Sequence, residues 1–306
     1  MTGRARIALF ACLTALALGG VAAPARAASD PFVPNLDWTS LLPATPGTPN
    51  ETQPGPQPYC ETPSVACIDT EIERMTALRD RLGCDHRGVF ATTYLELTKE
   101  IRATVDRDPG VVEDLDYLYS EDALFANMYF DTVEGWEQGA RVAPAWRIAF
   151  EQAEHGRITG AQEMLLGINA HVQNDMPFVL AGLGLRTPEG ASRKPDHDAM
   201  NVALNTGYEA VVKAVGDRYD RTMRLTNSPL HPGDNIGGLE LARGWREVVW
   251  RNAERLVSAR TEAARDRVAR SIEANAAMWA RGIAAVQTPG IRAARDRYCR
   301  KQLASP

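Results

Sequence analysis

"DTEIERMTALRDRLG", residues 69–83, decides the fold class. Ile72, Met75, Leu78 and Leu82 fall three and four apart, the spacing that lines one face of an α-helix. Gly83 follows the last apolar position as a C-terminal stop. The same period returns along the chain, and the period-two alternation of a half-buried strand is almost absent. Further helices are expected from about Val89 to Val105, from Val112 to Trp136, after Pro144, from about Thr159 to the 170s, and from Pro195 to Leu225. "NSPLHPGDNIGG" (227–238) reads as a loop. A helical pattern then runs from Leu239 to Val286 without proline. At about 1.5 Å per residue that helix would be over roughly 70 Å long, so a break is expected near Ser258–Thr261. A last short helix carries Cys299. No repeat of fixed period is found. The expectation is an all-α, multi-helix bundle.

The N-terminal stretch has another character. Arg4 and Arg6 precede the apolar run Ile7–Ala23, and Ala25-Arg26-Ala27 is a small-x-small cleavage site. That is the pattern of a secretory signal peptide over residues 1–27. Residues 28–58, rich in Pro, Thr and Gly, read as a disordered linker. Residues 59–306 read as one all-α domain. The expected localisation is secreted or envelope-associated, with no transmembrane segment once the signal is removed. Losing Arg4, Arg6 and Arg26 takes the formal charge from −5 to −8. An acidic chain gains no general attraction to nucleic acid.

Cys12 lies in the apolar run, which leaves Cys60, Cys67, Cys84 and Cys299. An even count in an exported chain argues for two disulfides, with three connectivities open. A local Cys60–Cys67 loop and a long Cys84–Cys299 tie are favoured. The long tie would contribute about 4–5 kcal/mol on the chain-entropy model.

Polar residues then interrupt apolar stripes. In "AHVQNDMP" (170–177), Met164, Ile168, His171 and Asp175 share one helical line, with Asn174 beside it. Asp122 shares a line with Leu118, Phe125 and Tyr129. His197 and Asn201 flank the start of a stripe running from Met200 to Met223. A buried carboxylate is costly unless paired or metal-bound, so these positions point to a polar site inside the bundle. His171, Asp175, His197, Asn201 and Asp122 are the candidate ligands of one divalent metal, zinc first. Without a metal, His171 oriented by Asp175 is a general base. His171, Asp175 and His197 are the candidate catalytic residues. Packing explains the same residues as a structural polar network, with Asp196 and Asp198 as helix caps. Trp136, Trp146, Tyr129 and Asn174 are candidate pocket residues, although such aromatics more often fill a core. The Arg-rich run 251–270 alternates with Glu and Asp and reads as a solvated helix face. No nucleophile elbow, phosphate loop or HExxH is present.

Through "PAWRIAF" (144–150), "LLGINAHVQNDMP" (165–177) and "DHDAMN" (196–201) the chain resembles an uncharacterised family of exported actinobacterial proteins. That resemblance implies an all-α fold and no activity. A weaker resemblance is to the zinc-dependent phospholipase C and single-strand nuclease superfamily. His171-x3-Asp175 and, 26 residues on, His197-x3-Asn201 are similar to its paired ligands, with Asn in place of Glu. The family's ligating N-terminal Trp has no counterpart here. This resemblance implies a metal-assisted hydrolase of small-molecule or lipid phosphoesters. The competing expectation is a non-catalytic exported binding or envelope protein. A lipid-binding bundle is the third.

Overall fold

The computed structural model describes residues 37–42, 60, 62–225 and 232–304. The expected signal peptide and most of the expected linker lie outside them. Twelve α-helices are described: α1 (Trp38–Leu41), α2 (Val65–Leu82), α3 (Gly88–Arg107), α4 (Leu115–Glu137), α5 (Pro144–His155), α6 (Gly160–Ile168), α7 (Met176–Leu183), α8 (Lys194–Ala199), α9 (Asn201–Arg218), α10 (Pro232–Ser258), α11 (Glu262–Ala284) and α12 (Ile291–Leu303). A π-helical turn, Asn169–Asp175, joins α6 to α7. Among the described residues the only β pairing is the isolated bridge Arg186–Ser192. The all-α expectation holds.

The helices form for legible reasons. Thr159 and Gln162 make a capping box that starts α6. Pro144 sits in the first turn of α5, and Gly156 ends it in the left-handed conformation. The long C-terminal pattern breaks after Ser258, inside the expected window, and Thr261 caps Ala264 to start α11. Two cystines are present, Cys60–Cys67 and Cys84–Cys299, the favoured pairing.

Three expectations are corrected. The loop expected over 227–238 is helical from Pro232 onward, because proline suits a first helical turn. Part of the expected linker is ordered: α1 docks on α10, where Trp38 Nε1 donates to Glu240 Oε2 at 3.1 Å. Gly244 makes that docking close, since a Cβ there would stand 3.1 Å from the Trp38 ring. The Arg-rich run is not one solvated face. Asn252 and Glu254 of α10 are buried, and within the run only α11 is extensively exposed along its charged side.

The main core gathers α2, α3, α4, α5, α7, α10 and α11. Its largest buried side chains include Trp146, Trp250 and Tyr129. The π-turn contacts α4, α5, α6, α7, α10 and α11, so the polar motif sits at the centre of the bundle.

Candidate functional site

The site begins with Pro177. Proline has no N–H for the bond to the carbonyl four residues back, and its ring crowds that carbonyl. The backbone meets this by widening for one turn. Met176 N–H bonds back five residues to the His171 carbonyl, the signature of a π-turn. The turn is pinned to α11 by side-chain amides. Asn169 Nδ2 donates to the Ala276 carbonyl at 2.9 Å, Gln173 Nε2 to Asn169 Oδ1 at 2.7 Å, and Asn275 Nδ2 to Gln173 Oε1 at 2.9 Å.

Inside that frame His171 Nδ1 lies 3.0 Å from Asp175 Oδ2. Trp146 Nε1 donates to the same oxygen at 2.8 Å, and Asn174 Nδ2 donates to Asp175 Oδ1 at 2.7 Å. A carboxylate can only accept, so Nδ1 carries the imidazole proton and Nε2 is left as a bare acceptor. Nε2 has no hydrogen-bond partner. The imidazole is 1% exposed. It stacks on Phe125 at 3.5 Å between centroids and stands 4.7 Å from the Tyr94 ring. Phe90, Tyr129 and Trp146 complete the cage. Burial pushes the His171 pKa down against the pull of Asp175, so the ring is neutral at pH 7.

Asp122 stands one helical turn before Phe125 and is buried, with Oδ2 unpartnered. Burial, reinforced by Glu71 and Glu121, pushes its pKa up to about 8. Burial pushes the Tyr94 hydroxyl well above its usual pKa, and Asp122, Glu71 and Asp175 push it the same way when ionised. That hydroxyl is itself buried and unpartnered. His171 is thus a neutral base inside the aromatic cage, and Asp122, one helical turn from the cage wall Phe125, is a buried acid that favours its protonated form.

The sequence-derived set is divided. His171, Asp175, Asn174, Trp146 and Tyr129 come together, and Asp122 is buried on α4 one turn before the cage wall Phe125. His197 does not join them. Its Nε2 faces the Arg246 carbonyl at 3.3 Å and its ring neighbour is Trp250. Arg246 bonds in return to the His197 carbonyl, and burial holds this imidazole well below its usual pKa. Asn201 opens α9 with no bond to His197, so the second His-x3 pair spans two helices. Trp136 packs on Phe150 and bonds Glu154 instead of facing His171. Among the described residues no three His, Cys, Asp or Glu side chains are grouped to hold a metal ion. The proposed ligand set is not gathered around one point: Asp175 is engaged by three donors, and His197 faces Arg246 and Trp250 instead.

Two features escaped the sequence reading. Glu71 is fully buried while Ile72 is only half-buried. Glu71, Met75, Leu78 and Leu82 share a helical line, so extending the stripe by one residue was the available signal. His86, Glu163, Asp220 and Arg295 form a second buried polar cluster. A shallow groove of about 510 Å3 between α2 and α4, lined by Leu78, Phe130 and Glu134 among others, contains none of the candidate residues.

The description of a family of unknown function, DUF5995, matches residues 68–286, most of the chain. The chain is a member of the DUF5995 family. This DUF5995 match covers every residue of the His171 cage, as well as His197 and Asn201, and stops before α12. No curated protein and no solved structure matches the chain.

Proposed function

We propose that this DUF5995 protein is an exported, metal-independent acid–base hydrolase of small uncharged substrates. The observation that carries the reading is that two buried titratable atoms are unpartnered, His171 Nε2 and Asp122 Oδ2, the first in the aromatic cage and the second one helical turn from its wall Phe125. An unpaired buried polar group costs about 1–3 kcal/mol, and a core built for stability alone has cheaper solutions. Environments that push two titratable groups in opposite directions mark a base and an acid. His171 Nε2 takes the proton of the attacking water, and Asp122 protonates the leaving group. Asp175, held by Trp146 and Asn174, fixes the imidazole tautomer. Export rests on the N-terminal pattern and accords with two cystines. Among the described residues no helix is long and apolar enough to cross a membrane.

The phosphoester expectation is narrowed by charge. Neither His171 nor Asp175 has a lysine or arginine partner. Such a cage offers phosphate no counter-charge and suits an uncharged ester or amide. A second reading is favoured by the 1% exposure of the imidazole: the network is a structural keystone of a non-catalytic binding or envelope protein. Catalysis requires the rings beside Nε2 to swing aside.

Assay of purified protein against uncharged esters and amides, and against phosphodiesters, with and without chelator, separates these. The proposal expects turnover of an uncharged substrate that chelator leaves intact and that His171→Ala and Asp122→Asn each abolish. Activity lost to chelator and restored by zinc supports the metal reading. No turnover on either set, or turnover unaffected by both substitutions, supports the keystone.

A further inference from the structure

Helix α12 is held in an unusual way. The only buried side chains of this helix are Arg295 and Cys299, so it has no apolar face in the core. A helix of this length is marginal alone, and packing normally supplies its stability. Here Cys299 is tied to Cys84, and Arg295 reaches into a polar pocket. Its guanidinium pairs with both Glu163 oxygens, Nη1 to Oε1 at 2.9 Å and Nη2 to Oε2 at 2.6 Å. Nη1 also donates to the Ile158 carbonyl at 2.9 Å, and Nε lies 3.3 Å from Asp220 Oδ2. Nη1 stands 3.3 Å from His86 Nδ1.

The pocket is built by the rest of the fold. His86 Nδ1 lies 2.8 Å from Glu163 Oε1 and orients that carboxylate. Asp220 is fixed by the Gly160 and Thr222 amides at 2.8 and 3.0 Å. Gly160 permits this, because a Cβ there would stand 2.9 Å from the Asp220 Cβ. Glu163, Asp220 and His86 lie inside the family-matched residues 68–286, whereas Arg295 lies beyond them. A planar, bidentate, two-carboxylate pocket with a carbonyl at its edge is complementary to a guanidinium and not to an ammonium point charge.

We propose that Glu163, Asp220, His86 and the Ile158 carbonyl form a guanidinium-binding site, which Arg295 occupies from within the same chain while the Cys84–Cys299 bond keeps α12 over it. Displacing α12 opens the site to an arginine side chain of a peptide partner. This site is separate from the His171 cage and does not depend on its activity.

Chemical rescue tests it. Arg295→Ala, with the disulfide intact, is titrated with millimolar methylguanidinium at constant ionic strength while the melting temperature is followed. The proposal expects saturable stabilisation of the variant, a smaller effect of methylammonium, and none on the wild type. Equal response of variant and wild type, or no preference for the guanidinium, overturns it. Should Arg295→Ala not fold, the Cys84→Ser/Cys299→Ser double variant is used. There an arginine-containing peptide should bind in competition with α12 and expose the α12 amides to hydrogen exchange. Absence of binding with α12 amides still protected contradicts the proposal.

Discussion

At the residue scale the decisive pair is His171 and Asp122. Asp122 prefers its protonated form in the fold, with a pKa raised from 3.8 to about 8. Its contribution is therefore fully present below its unfolded pKa and is lost as pH rises through about 8. Between pH 6.5 and 8 this one group removes about 2 kcal/mol of stability. Glu71, raised to about 7, acts in the same direction. His171 and His197 act oppositely: their pKa values are lowered, so they lose stability as pH falls below the unfolded value of about 6.5. Unfolding in urea at pH 6.5 and pH 8 should show the loss at the higher pH, and Asp122→Asn should remove about 2 kcal/mol of it. An Asp122→Asn curve parallel to wild type would show that Asp122 ionises normally. The catalytic reading adds a pH profile. Activity should rise with the deprotonation of His171 below pH 6.5 and fall as Asp122 loses its proton near pH 8.

At the element scale the π-turn and its neighbours set the geometry. Phe90 lies over Gly167, where a Cβ would stand 2.2 Å from the ring. Gly167→Ala must therefore move Phe90, a wall of the His171 cage. The expected cost is about 1–3 kcal/mol, as for other overpacked cores, read from the shift in denaturation midpoint. An unchanged midpoint would mean that Phe90 has room to yield. Pro177→Ala restores the missing N–H and should let the turn narrow toward an α-helix. Its readout is altered shielding of His171 by the Phe125 ring. This scale also marks the limit of the sequence. The long core helices were visible in their period, because apolar spacing reports directly on burial, whereas α1 and the first turns of α10 carried no such signal. The π-turn was not, because a residue count at 3.6 per turn placed His171 and Asp175 on one face without revealing the widened backbone. His197 and Asn201 misled for a related reason. Their spacing implied one helix, but the chain passes from α8 to α9 between them.

At the scale of the whole molecule, the bundle closes around a polar centre and is fastened at both ends by cystines. Their pairing was legible because sequence proximity favoured the local loop and left one partner for each remaining cysteine. The Arg295 pocket was not legible, since it joins residues from 86 to 295 whose proximity only the tertiary fold creates. Docking of α1 was hidden likewise within a proline-rich stretch. Trp38→Ala should weaken that docking by about 1–2 kcal/mol, the scale of a partly buried aromatic side chain, without altering the His171 cage. Hydrogen exchange of the Trp38–Leu41 amides and the His171 imidazole signals read the two effects separately.

The most direct test of the central claim is 15N NMR of the His171 imidazole from pH 5.5 to 8. The expected result is a neutral ring at pH 7, protonated on Nδ1 and bare on Nε2, with the wild-type nitrogen shifts retained more nearly in Asn174→Ala than in Asp175→Asn. An imidazolium at pH 7, or a proton on Nε2, would contradict it.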